Sequence, residues 1–153
     1  QLLLEKGLTL ATMETCTGGL LANNISEVPG SSSYFMRGVV ISGRESAIAS
    51  GVPSAIIEEY GMVSPQAAGG MAQAARSSGG IEADIGIGVA GVLGPEDLEG
   101  KPPGTYHIAI AMGAAGHDPA THFPGRLPPR RQVIRRRVSS TALIELRRIL
   151  STL

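Results

Sequence analysis

The sequence predicts a layered α/β fold in a single domain spanning residues 1–153, and three observations carry that expectation. Short apolar runs of strand length alternate with stretches of helical period, which favours sheet-and-helix layers over a bundle or a sandwich. The 153 residues match one ordinary domain, long enough to enclose one core. Hydrophobic residues make up 42 %, yet aromatics only 3 %, with 21 glycines and no Trp. The core must therefore be built from Ala, Val, Ile and Leu packed close to the backbone. No internal repeat and no second domain is found.

The elements follow in order. Residues 8–13 read as the first strand, running into Glu14-Thr15-Cys16-Thr17-Gly18-Gly19. A helix then continues through Leu20, Leu21, Asn24, Ile25 and Val28 until Pro29-Gly30 stops it. Residues 31–34 form a polar link, 38–42 a second strand and 45–50 a short helix. Pro53 suits the first turn of another helix that ends near Gly61. Ser64 is a good N-cap and Pro65 a good N1 residue for an Ala-rich helix reaching Ser78. Residues 81–90 read as a buried strand with interspersed glycines, and 91–104 as a loop in which Glu96, Asp97 and Glu99 keep the chain solvated. A strand over 105–112 leads to a turn at 113–119 and an edge strand near 121–123. The prolines between 124 and 129 are expected to prevent regular structure. The closing helix spans about 131–150, burying Ile134, Val138, Thr141, Ala142, Ile144, Leu146, Ile149 and Leu150.

Net charge is zero, but unevenly spread: eight of the thirteen basic residues lie from Arg126 onward. Such a basic run could contact nucleic acid. The expectation is instead a helix whose solvated face is arginine, with one or two arginines serving an anionic small molecule. The single cysteine, Cys16, excludes an internal disulfide and points to a reducing, cytoplasmic compartment. No apolar run is long enough to span a membrane, and no secretory signal pattern is present. The chain begins with Gln rather than Met, which is compatible with residues missing from its start.

Residues 14–19 are the most informative stretch. They place three nucleophile-type side chains, Thr15, Cys16 and Thr17, where a strand passes into a helix. Gly18 and Gly19 let a ligand or another backbone approach closely. The helix start offers N–H groups suited to an anion, or to the oxyanion of acyl transfer. The alternative is structural: Thr15 or Thr17 as N-cap, beside a small buried Cys. Gly30, Ser31, Ser32 and Ser33 add hydroxyls and N–H donors, a composition also found in ordinary turns. Gly86-Ile87-Gly88-Val89-Ala90-Gly91 is not a dinucleotide fingerprint, because no helix follows it. His107, His117 and His122 lack metal-ligand spacing, so no metal site is expected, and His107 is expected to be exposed or hydrogen-bonded.

Taken together, these stretches resemble a known family. Thr12-Met13-Glu14-Thr15-Cys16-Thr17-Gly18-Gly19 resembles the T-A-E-S-C-T-G-G signature of the CinA C-terminal domain, the nicotinamide-mononucleotide deamidases. The likeness continues in order through Pro29-Gly30-Ser31-Ser32-Ser33-Tyr34-Phe35, Arg37-Gly38-Val39-Val40 and Gly61-Met62-Val63-Ser64. It extends through Gly88-Val89-Ala90-Gly91, Lys101-Pro102-Pro103-Gly104-Thr105, Phe123-Pro124-Gly125 and the helix bearing Arg131 and Arg135.

The resemblance implies a three-layer α/β/α domain on a mixed, mostly parallel sheet. It also implies hydrolysis of the carboxamide of nicotinamide mononucleotide to nicotinic acid mononucleotide and ammonia, with no metal and no organic cofactor. The partners implied are a small pyridine nucleotide and a second copy of the chain in a homodimer, with no membrane and no nucleic acid. Thr15 falls on the family's serine nucleophile and is the implied catalytic residue. Cys16, Thr17, Gly18, Gly19, Gly30, Ser31, Ser32, Gly91, Arg131 and Arg135 are the implied substrate-binding set.

The chain departs from the pattern where activation should come from. The family tyrosine and lysine lie in a Y-S-N-E-A-K segment, but here residues 41–47 read Ile41-Ser42-Gly43-Arg44-Glu45-Ser46-Ala47. The tyrosine becomes Ile41 or Ser42, and the lysine Ser46 or Ala47. Lys6 and Lys101 are the only lysines in the sequence, and Arg44 stays protonated and cannot serve as a base. Val92 also stands where the family has a proline. The fold and pocket are expected to persist, with weak, altered or lost deamidase activity. The alternative is a non-catalytic relative that binds a nucleotide or a protein.

Overall fold

The computed structural model describes residues 1–80, 82–113 and 120–153. Along the chain lie α1 (Leu2–Lys6), β1 (Leu10–Glu14), α2 (Leu20–Ser26), β2 (Phe35–Val40), α3 (Arg44–Ala49) and α4 (Ser54–Tyr60). They are followed by α5 (Pro65–Ser77), β3 (Ile85–Gly91), β4 (Thr105–Met112), β5 (Thr121–Arg126) and α6 (Arg131–Thr152). The strands form one sheet in the order β2-β1-β3-β4-β5. β1 pairs in parallel with β2 and β3, whereas β4 is antiparallel to both β3 and β5. Four strands thus run one way and β4 alone opposes them, a mixed, mostly parallel sheet.

Both faces of the sheet are covered, giving the expected three layers. On one face Ala11, Met13, Ala109 and Ala111 pack against Ala68, Met71, Ala72 and Ala75 of α5, with Ala47 of α3 and Ile57 of α4 beside them. On the other, Leu10, Ile85, Ile87, Val89, Ile108 and Ile110 meet Leu21 and Ile25 of α2 and Ile134, Val138, Ala142, Leu146 and Leu150 of α6. Burial on both faces makes β1 continuously buried rather than alternating. The glycines of β3 serve this packing. A Cβ on Gly86 would run into the backbone of Ala72, and one on Gly88 would stand 2.7 Å from the Ala72 nitrogen. These two glycines therefore set how closely α5 lies on the sheet.

Helix α5 is the best-anchored element. Ser64 Oγ accepts from the Ala67 amide at 3.0 Å and Pro65 occupies N1, as expected. At its other end Arg37 donates from Nη2 to the Ala74 carbonyl (2.7 Å) and from Nε to Ala75 (3.2 Å), satisfying carbonyls that the helix leaves open. Arg76, itself buried, donates to the carbonyls of Ala83 and Gly113.

Several expectations need correction. The five-residue α1 carries too little periodicity to be read from sequence. Strand β2 starts at Phe35 and ends at Val40, earlier than residues 38–42. Strand β5 continues through Pro124 and Gly125 to Arg126, because an edge strand pairs on one side only and tolerates a proline there. Ile144 is exposed, lying off the stripe formed by Ile134, Val138, Ala142, Leu146 and Leu150 at every fourth residue. The turn expected over 113–119 falls, beyond Gly113, outside the described residues.

Candidate functional site

The parallel strands β2, β1 and β3 bring their C-terminal ends to one edge of the sheet. The chain leaves central β1 toward β2 on one side and pairs it with β3 on the other. Such a switch point opens a crevice beyond the strand ends. A cavity of about 490 Å³ lies there, and Thr15, Cys16, Gly91 and Arg131 line it together with residues 40–44, Met62, Val63, Leu93, Leu98 and Glu99.

The turn after β1 is built around Glu14. This wholly buried carboxylate accepts from Thr17 Oγ1 (2.5 Å) and from the amides of Leu21 (2.9 Å) and Ala22 (3.0 Å). It therefore occupies the first-turn amides of α2, and the free N–H groups expected there for an anion are already spent. Thr17 likewise faces Glu14. The sequence shows an acid ending a buried strand just before a helix, and that was the available signal. Gly18 (φ 62°) and Gly19 (φ 97°) sit in the left-handed region, which the tight turn requires. The Arg135 guanidinium lies over Gly18 and donates from Nε to the Cys16 carbonyl at 3.3 Å.

Thr15 is tied to β3: its amide (3.0 Å) and its hydroxyl (3.1 Å) both donate to the Val89 carbonyl. A peptide carbonyl accepts a hydrogen bond but is far too weak a base to activate a hydroxyl. Cys16 is buried, and burial pushes its thiol up to about 11 against smaller lowering contributions from Thr15 and its own backbone. At neutral pH it is a thiol, not the reactive thiolate. A Cβ on Gly91 would stand 2.7 Å from Cys16 Sγ, so glycine there lets the two segments touch.

The far wall holds a residue that sequence reasoning assigned to solvent. Glu99 accepts from the amides of Met62 (Oε2) and Val63 (Oε1), both at 2.9 Å. Burial alone would raise its carboxyl, but these amides, with Lys101 and Arg44, hold it below the usual carboxylate range. Arg44 Nη2 lies 3.5 Å from Glu99 Oε2 and Lys101 Nζ 3.9 Å from Oε1. Nothing in residues 91–104 signals a partner in residues 62–63, so this contact was invisible in the sequence.

Residues 41–44 form the next wall. Ile41 and Ala47 are buried, and Ser42 and Arg44 line the cavity. Arg131 also lines it, donating from Nη1 to the Gly94 carbonyl at 2.9 Å. One chain thus brings Thr15, Cys16, Gly91 and Arg131 together, with Thr17, Gly18, Gly19 and Arg135 directly behind. It does not bring Gly30, Ser31 and Ser32 there. They form a 3₁₀ turn just before β2, at the opposite edge of the sheet, where the Ser31 hydroxyl donates to the Ser26 carbonyl.

His107 is half-buried, and its Nδ1 is buried with no partner among the described residues, contrary to the expectation that it is exposed or hydrogen-bonded. Burial holds both His107 and His122 below the ordinary imidazole range, with Lys101 adding to the effect at His107. His117 lies outside the described residues. Among the described residues no cluster of three or more His, Cys, Asp or Glu is placed to hold a metal. No described helix is long and apolar enough to cross a membrane.

Comparison with known proteins fits this architecture. The chain matches the family described as the CinA C-terminal domain over residues 1–150. It is 42 % identical over 150 residues to a CinA-like protein of Geobacter sulfurreducens, covering 97 % of this chain and 35 % of that protein. A CinA-like protein of Frankia casuarinae is 40 % identical over 153 residues, 99 % of this chain and 34 % of its own length. The chain thus spans about a third of the length of the curated relatives it matches. Among solved structures, the competence or damage-inducible protein of Enterobacter asburiae superposes with a TM-score of 0.88 at 27 % identity, over 97 % of this chain and 91 % of that one. The competence/damage inducible protein CihA of Agrobacterium tumefaciens gives 0.83 at 32 % identity, over 97 % and 88 %. With its motifs in order and its fold matched, this chain belongs to the CinA C-terminal domain family.

Proposed function

We propose that this domain binds a pyridine mononucleotide in the crevice beyond β1 and β3, with carboxamide hydrolysis lost or strongly reduced. The observation that carries this reading is the surroundings of Thr15, whose hydroxyl donates to the Val89 carbonyl and meets no base. Among the described residues the ionisable groups lining the cavity are Cys16, Arg44, Glu99 and Arg131. Cys16 is held as a thiol, the arginines cannot take a proton, and Glu99 is held ionised and weakly basic by two amides. Losing a general base removes about 10²–10⁴-fold in rate while leaving a pocket's shape intact.

The test is ammonia release from nicotinamide mononucleotide, with calorimetric titration of the same ligand. Saturable binding is expected, with no turnover above that of the Thr15→Ala variant. Turnover that Thr15→Ala abolishes would show that hydrolysis survives, and absent binding would remove the nucleotide altogether.

A further inference from the structure

We propose that Arg44 turns this pocket toward an acid: a mononucleotide whose ring carries a carboxylate in place of the carboxamide. The inference rests on the mononucleotide reading above and adds the charge preference of the site.

Arg44 stands in the segment where the family pattern carries its lysine base, and it lines the cavity. Its side chain is 55 % exposed, and its one partner among the described residues is Glu99 Oε2 at 3.5 Å. Glu99 does not depend on that contact. Each of its oxygens already accepts from a backbone amide at 2.9 Å, and Lys101 approaches from outside. Most of the five donors of the Arg44 fork are therefore open. Arg131 enters the same cavity and gives one donor to the Gly94 carbonyl. Two fixed cations thus face a single carboxylate whose charge is already held by amides and Lys101.

A lining of this sign favours a ligand with two anionic ends, a phosphate and a ring carboxylate. A carboxylate takes a guanidinium fork through two parallel N–H···O bonds. A carboxamide offers one oxygen, and its NH₂ group turns donors toward donors. A hydrolytic pocket of this family must release the acid that it makes. Here no lysine stands in the segment of residues 41–47, and Arg44 within it adds a permanent cation to the cavity wall, which retains an acid instead.

The test is calorimetric titration of the 153-residue chain with nicotinic acid mononucleotide and, separately, with nicotinamide mononucleotide, repeated on Arg44→Gln. Arg44 is exposed at the start of α3, so unchanged thermal unfolding of the variant is expected and is measured in parallel. The wild-type chain is expected to bind the acid about tenfold or more tighter than the amide, the worth of one charge-assisted pair. Arg44→Gln should bring the two affinities together by weakening the acid alone. Equal affinities in the wild type, or a preference that persists in Arg44→Gln, overturns the role of Arg44 and leaves the mononucleotide reading standing. Binding of neither ligand overturns both.

Discussion

Replacing Gly86 by alanine would test whether the glycines of β3 set the distance between α5 and the sheet. The new methyl would lie 2.9 Å from the Ala72 carbonyl carbon and 3.2 Å from Arg76 Cβ, with the carbonyl oxygen nearer still. Carbon atoms in contact prefer about 3.5–4.0 Å, so α5 must retreat by very roughly 1 Å. That movement loosens Ala68, Met71, Ala72 and Ala75 together, all buried against the sheet. Overpacking costs about 1–3 kcal/mol, and the obstruction here is backbone rather than a movable side chain, so a loss of about 3 kcal/mol is expected. For a domain of this size each kcal/mol lowers Tm by about 2–4 °C, which predicts a fall of about 6–12 °C. Gly43→Ala is the matched control, since its backbone is extended (φ 176°) and nothing lies within 4 Å of the added carbon. It should stay within about 0.5 kcal/mol of wild type. Urea denaturation and calorimetry measure both variants. A Gly86→Ala loss under about 1 kcal/mol, or an equal loss in the control, would refute the packing argument.

Other outcomes follow from the turn and from the histidines. Glu14→Ala leaves the Leu21 and Ala22 amides without their acceptor and should cost about 2–4 kcal/mol in urea denaturation, far more than Glu45→Ala on the surface. Cys16, buried and with its thiol near 11, should resist iodoacetamide at pH 7.5 in the folded chain and react fully once unfolded, as read by intact-mass spectrometry. His107 and His122 titrate below their ordinary 6.5 when folded, so the unfolded chain binds the extra protons. Their contribution to stability is whole above pH 6.5 and is lost as pH falls through that value toward the folded pKa. A double change to Gln should flatten the fall in Tm over that window.

The parts legible in the sequence were those where local chemistry agrees with the tertiary structure. Thr105–Met112 is an unbroken strand, and the Ser64-Pro65 start of α5 and the four-residue stripe of α6 follow from capping and periodicity alone. Thr15, Cys16, Gly91 and Arg131 line one cavity, although their motifs lie far apart in the chain. What could not be read depends on partners distant in the chain. Glu14 shows its purpose only when α2 folds back to present two amides, and Glu99 only when α4 ends beside it. Pro124 ends a strand in any local reasoning, and becomes acceptable only because β5 has no neighbour on its outer side.

Arg135 meets the carbonyl of Cys16 across 119 positions of sequence, and Arg131 reaches the same cavity from the last helix. The cavity therefore closes only after α6 has docked against the segment that follows the first strand. During synthesis from the N-terminus, the turn around Glu14 is made long before the arginines that complete its surroundings. The shape of this cavity is consequently a property of the finished tertiary structure, and any change that loosens α6 should reshape the cavity as directly as a change in the residues that line it.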